Sequence, residues 1–146
     1  MSVPYIVIAD VAPSDIPLEY LFEALCDDKF DPAWAPALAL AKANNWAGVA
    51  ADSQFLAAWA ALEGSAETEI NAVIEASAIT LPLATPYPNA VIQACHHTVL
   101  KKCYEKRGIE KNNPWVKPAA DSNDDLVKWC QKQKHFFVGS DDPIDL

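Results

Sequence analysis

Three histidines, His96, His97 and His135, share a chain of 146 residues with four cysteines, Cys26, Cys95, Cys103 and Cys130, so metal chelation and thiol chemistry are the first possibilities to test. Zinc sites need converging donors, such as two histidines one helical turn apart or C-x-x-C pairs. Adjacent His96 and His97 project about 100° apart on a helix, and no two cysteines have the C-x-x-C spacing. Cys95 and Cys103 are separated by roughly 12 Å of helix rise, beyond the reach of a disulfide. The pattern predicts no metal, no cofactor, and reduced, buried thiols.

Covalent catalysis needs a nucleophile, a base and an oxyanion donor brought together on exposed turns. The sequence has no G-x-S-x-G, no G-x-G-x-x-G and no G-x-x-x-x-G-K-[ST], and only 4 glycines in all. Paired carboxylates occur at Asp27-Asp28, Asp124-Asp125 and Asp141-Asp142, each at a helix end or in a tail where capping or solvation accounts for them. An enzyme of this sequence would need a deep pocket around His96, His97 and a carboxylate; the expectation is that the chain is not an enzyme. Tryptophans are abundant, with five in the chain. Trp34, Trp59 and Trp129 fit core stripes, whereas Trp46 and Trp115 fall near element ends, where either an interface or a local apolar cluster would hold them.

The elements that position these residues are read from periodicity. Tyr5, Ile6, Val7 and Ile8 form a β-rich run that reads as a short extended strand without a hairpin partner nearby, able to complete a neighbour's sheet. Helical spacing then takes over at Leu18, Leu21, Phe22 and Leu25, with Pro17 suited to the first turn. Asp31-Pro32 signals a second helix carrying Trp34, Leu38 and Ala41, a stripe that fades at Asn44, Asn45 and Gly48. Asp52 caps a third, with Phe55, Leu56, Trp59 and Leu62 inward and Gly64 ending it; Ser65 caps a fourth, with Glu67 and Glu69 in its first turn.

Leu81-Pro82-Leu83-Ala84-Thr85-Pro86-Tyr87-Pro88 cannot be helical and reads as a rigid connector. Pro88 or Asn89 opens the next helix, with Val91, Ile92, Cys95, Val99, Leu100 and Cys103 on one side, Lys102 reaching out of the apolar arc, and Gly108 at its end. A polar loop over 109–120 leads to a last helix that starts at Ser122 and stops at Gly139. The tail over 140–146 has no periodicity but carries Ile144 and Leu146.

Composition matches a folded domain, with 51% apolar and 21% charged residues. The net charge of −9 is uneven: residues 1–100 hold 12 acidic and 2 basic groups, and residues 101–146 hold 8 acidic and 9 basic. An acidic body disfavours general nucleic-acid or anionic-membrane binding, unless Lys101, Lys102, Lys106, Arg107, Lys111 and Lys117 form one face. No apolar run is long enough to span a bilayer, and the first residues lack a signal peptide's basic start, which implies a product made in the cytoplasm. The expected fold is mainly α: a single domain over 1–146, a small multi-helix bundle with a short N-terminal extended β segment and a flexible C-terminal tail.

The stretch 65–139 resembles small phage and prophage head-tail connector (head-completion) proteins. The likeness rests on the helix Ala66-Glu67-Thr68-Glu69-Ile70-Asn71-Ala72-Val73-Ile74, then Leu81-Pro82-Leu83 and a second proline. It continues through Val91-Ile92-Gln93-Ala94-Cys95-His96-His97-Thr98-Val99-Leu100, ending in Tyr104-Glu105-Lys106-Arg107, and closes with Asp125-Leu126-Val127-Lys128-Trp129-Cys130 leading to Gly139. The Trp- and Ala-rich helices between Phe30 and Gly64 stand as an insertion.

This resemblance implies a structural virion protein, a head-to-tail adaptor. Its partners would be further copies of itself in a homo-oligomeric ring, commonly twelvefold, the portal protein, and a tail terminator or stopper in the neck. DNA would pass through the ring without specific binding, and no membrane would be involved. Candidate subunit or portal contacts are Tyr5, Ile6, Val7, Ile8, Trp115, Phe136, Phe137, Ile144 and Leu146. The rival expectation is a small acidic inhibitor or immunity-type protein that blocks a basic partner.

Overall fold

The longer helices form where apolar side chains recur every three to four residues, and the computed structural model describes residues 4–10, 16–25, 34–106 and 112–139. In order they are α1 (Leu18–Leu25), α2 (Ala35–Lys42), α3 (Trp46–Ala51), α4 (Ser53–Ala76), α5 (Asn89–Lys106) and α6 (Val116–Gly139), preceded by a tight helical turn at Ile8–Asp10. Helix α5 packs against both α4 and α6, and α1 lies across α4 and α5. Their shared core takes Leu21 from α1, Phe55, Ile70 and Ile74 from α4, Val91, Val99 and Leu100 from α5, and Leu126 from α6, all 2% exposed or less. Each such side chain contributes roughly 1.5–3 kcal/mol through burial. No helix among the described residues is long and apolar enough to cross a membrane.

The expected N-terminal β segment is corrected: among the described residues there is no β-strand. Tyr5, Ile6 and Ile8 are buried in the chain's own core, while Val7 faces outward. A strand forms when its backbone donors need a ladder, and here other acceptors meet them. The Tyr5 N–H donates to carboxylate oxygens of Glu63 (3.2 Å) and Glu67 (3.1 Å) on α4. The Val7 N–H donates to Asp10 Oδ2 at 2.7 Å, and the Asp10 N–H returns to the Val7 carbonyl at 2.9 Å, closing a turn. The expected tail, with Ile144 and Leu146, lies outside the described residues, as do Asp31-Pro32 and Gly108.

Two helix boundaries also differ from the sequence reading. Helix α4 runs through Gly64 and Ser65 as one 24-residue rod. An internal glycine costs about 1 kcal/mol relative to alanine, which the buried Leu62, Ala66 and Ile70 on either side outweigh. Asp52 caps this helix as expected, accepting from the Phe55 N–H at 2.9 Å. Helix α6 starts at Val116, six residues before Ser122, because Pro118 lies in a first turn whose N–H groups need no helical partner. Asn113 sets that start: its Oδ1 accepts from the Trp115 N–H, and its Nδ2 donates to the Lys101 carbonyl of α5, each at 3.0 Å. Helix α3, unmarked in the periodicity, opens where Asn45 accepts from the Gly48 N–H at 3.0 Å.

Candidate functional site

On α4 the buried arc Phe55, Trp59, Leu62, Ala66, Ile70 is interrupted by one carboxylic acid, Glu63, only 5% exposed. Glu67 follows one turn later on the same side, half-buried, so the two carboxyls meet. The Tyr5 N–H donates to both, and Cys95 of α5 donates its thiol hydrogen to Glu63 Oε2 at 3.6 Å. The Tyr5 hydroxyl donates to Asn71 Oδ1, again on α4. Above them the irregular segment over 79–88 folds back, and Tyr87 meets Tyr5 edge-to-face with ring centroids 4.8 Å apart. Tyr5, Glu67, Asn71, Leu81, Pro82, Leu83 and Tyr87 enclose a cavity of about 240 Å³.

The electrostatics follow from burial beside a second carboxyl. Among the described residues no basic side chain forms an ion pair with Glu63 or Glu67; the lysine pairs there are Lys101 with Glu105, Lys102 with Glu69, and Lys117 with Asp121. Burial, reinforced by the hydrogen bond to Glu67 and by its charge, pushes the Glu63 carboxyl up to about 8, so Glu63 keeps its proton near neutrality and donates it in that hydrogen bond. Burial first, and then the nearby Glu67 charge, raises the Tyr5 phenol to about 12. The Cys95 thiol is pushed up for the same reasons and is fully buried, which makes it a weak nucleophile.

A second polar cluster joins α5 to α6. His97 Nδ1 is hydrogen-bonded to the buried Ser122 Oγ, and the His97 ring stacks on Trp115 (5.5 Å, 25°) and on His96 (5.5 Å, 28°). A serine inside a helix, its hydroxyl tied to an imidazole, resembles a nucleophile and base in composition. Ser122, however, lies within a continuous helix and not on an exposed turn, and the arrangement acts as a clamp between two helices. Among the described residues no group of three or more His, Cys, Asp or Glu could hold a metal ion. Another cavity, about 350 Å³, lies between α4 and α5 beside Ser65, Lys102 and Lys106, where Glu69 neutralises Lys102.

The structure scatters the residues singled out as contacts. Tyr5 joins the carboxyl cluster, Ile6 and Ile8 are core, Val7 is 51% exposed, and Trp115 is half-buried against His97. Phe136 and Phe137 fall within α6, and their side chains, like Ile144 and Leu146, lie outside the described residues. Trp46, placed near an element end, is buried and donates from Nε1 to Asn44 Oδ1 at 2.9 Å. Cys95, Cys103 and Cys130 are buried free thiols, and Cys26 lies outside the described residues. Glu63 was missed. Its signal was a carboxylate four residues after Trp59 and seven before Ile70, inside the apolar arc of its helix.

Fold and site together define, among the described residues, a small helical bundle with a carboxyl pair that forms no ion pair under its N-terminal segment. No protein family, curated protein or solved structure matches the chain.

Proposed function

We propose that this chain is a structural subunit of a phage or prophage particle, a head-to-tail adaptor that assembles into a ring between portal and tail. The observation that carries the reading is spatial: the segments on which the resemblance rests, over 65–139, pack as neighbours, with α5 between α4 and α6 and the half-buried Leu81, Leu83 and Tyr87 of the connector against the same core. The acidic excess of residues 1–100 suits a conduit that lets a phosphate backbone pass without gripping it. Action is then stoichiometric: subunits bury surface against one another and against the portal, and no bond is made or broken. The place of action is the virion neck.

The test is particle mass by light scattering, with negative-stain imaging, for the full chain alone and with the portal protein encoded by the same genome. Rings, or a portal complex of defined stoichiometry, are expected. A chain that stays monomeric and ignores the portal overturns the reading, and a tight one-to-one complex with a basic protein favours the inhibitor instead.

A further inference from the structure

We propose that the cavity between the N-terminal segment, α4 and the 79–88 segment is a binding site for a guanidinium group, which enters against Glu67. The cavity, about 240 Å³, is smaller than the roughly 300–1,000 Å³ of drug-sized sites and is scaled to one side chain or a small amine-like ligand. Its polar wall is anionic or hydrogen-bond accepting: the Glu67 carboxylate and the Asn71 carbonyl oxygen, which already takes the Tyr5 hydroxyl. Its aromatic wall is the Tyr5 and Tyr87 pair, and its apolar wall is Leu81, Pro82 and Leu83.

Chemical elimination narrows the occupant. An anion would meet a carboxylate. A hard metal ion would want about six oxygen ligands, and this wall has too few. A neutral apolar group would strand Glu67 away from water. A flat, weakly hydrated cation instead pairs with the carboxylate through two N–H donors and lies against aromatic rings, which an ammonium does less well.

The carboxyl pair supplies the driving force. Glu63, buried beside a second carboxyl and with no ion-paired base among the described residues, keeps its proton because burial and the neighbouring charge both oppose its ionisation. Among the described residues the groups facing that proton are Glu67 on α4, Tyr5 and its backbone N–H on the N-terminal segment, Cys95 on α5 and Tyr87 on the connecting segment. None of them brings positive charge. A guanidinium does, so its arrival lets Glu63 ionise, and the proton passes to solvent.

The experiment titrates the full isotopically labelled chain with methylguanidinium chloride at constant ionic strength and follows backbone amide shifts. N-methylurea serves as the neutral isostere. Saturable shifts confined to the region of Tyr5, Glu67, Asn71 and Tyr87 are expected, together with release of up to about one proton per bound cation near neutral pH, read by calorimetry in two buffers of different ionisation enthalpy. Glu67→Gln keeps an acceptor for the Tyr5 N–H and should weaken binding by about tenfold or more. A capped Gly-Arg-Gly peptide binding at least as tightly as methylguanidinium identifies a protein side chain as the source; methylguanidinium binding alone identifies a free small ligand. No saturation by about 20 mM, equal shifts from N-methylurea, or unchanged affinity in Glu67→Gln overturns the proposal. Should Glu67→Gln fail to fold, the wild-type protein decides, since saturation without proton release also overturns it.

Discussion

Glu63→Gln isolates the buried proton and turns it into a stability measurement. In the folded chain the Glu63 carboxyl is neutral up to about pH 8, whereas in the unfolded chain it ionises near its ordinary value of 4.5. Between those values the unfolded state binds fewer protons, so folding stability falls as pH rises. The contribution is whole below about pH 4.5 and lost by about pH 8. The gap, at about 1.4 kcal/mol per tenfold change in proton affinity, sets a ceiling of roughly 5 kcal/mol. The carboxyl that receives this hydrogen bond, Glu67, is half-buried and keeps contact with water, which screens the interaction, so roughly 2–4 kcal/mol is expected. Glutamine keeps the shape, an acceptor for the Tyr5 N–H and a donor toward Glu67, but it cannot ionise.

The assay is urea unfolding of both proteins from about pH 5 to about pH 8.5; thiols of the unfolded chain, which ionise near about 8.5, do so in both proteins alike. The difference between the two curves cancels the titrating groups that Glu63 does not touch. The wild-type protein should lose roughly 2–4 kcal/mol relative to Glu63→Gln across the range, or about 6–12 °C in Tm for a chain of this length. Parallel curves, or a wild type that gains on the variant as pH rises, refute the reasoning.

Four further outcomes follow from the geometry. Gly64→Ala should stabilise the chain by roughly 0.5–1 kcal/mol in urea unfolding, because a methyl group there meets nothing within 4 Å and α4 continues through the position. Asp52→Ala should destabilise by about 1 kcal/mol through loss of the Phe55 N–H acceptor, with a matching fall in thermal midpoint. Ser122→Ala should cost roughly 1–2 kcal/mol, since the hydrogen bond between the Ser122 hydroxyl and His97 Nδ1 is lost, and should shift the Trp115 fluorescence through the stacked ring. Cys95, Cys103 and Cys130, each 1% exposed or less, should react with a thiol reagent only as fast as the protein opens, and denaturant should release all three together.

Periodicity revealed the helices whose burial is one-sided. In α1 the spacing of Leu21, Phe22 and Leu25, and in α5 that of Val91, Cys95, Val99 and Cys103, matches the buried faces, because a 3.6-residue repeat and a core-facing stripe are the same constraint. Boundaries were less legible where local chemistry has two readings. Ser65 after Gly64 looks like a stop and a start, yet the cost of one glycine is small beside the packing on either side of it. Ser122 with two following aspartates looks like an N-terminus, yet Asn113 and Pro118 begin α6 earlier and turn Ser122 inward toward His97. Tyr5 to Ile8 looked like a strand because β propensity measures how well side chains fit a half-buried surface. That surface is provided here by helices, and the backbone donors end on Glu63, Glu67 and Asp10.

The carboxyl pair is where local pattern and fold disagree most, and that disagreement is informative. A leucine at position 63 would continue the arc of Trp59, Leu62, Ala66 and Ile70 and would suit the packing of α4 on α5. An acid in its place removes apolar burial and raises the cost of ionisation, so its return must lie in the groups it touches. Those groups are the Tyr5 N–H, the Cys95 thiol and Glu67, and Glu67 alone already accepts from Tyr5. Anchoring the N-terminal segment therefore accounts for one carboxyl. The second, held neutral behind the first, is accounted for when a cation reaches Glu67, because only then does the spare acid gain a charge that the pocket can use.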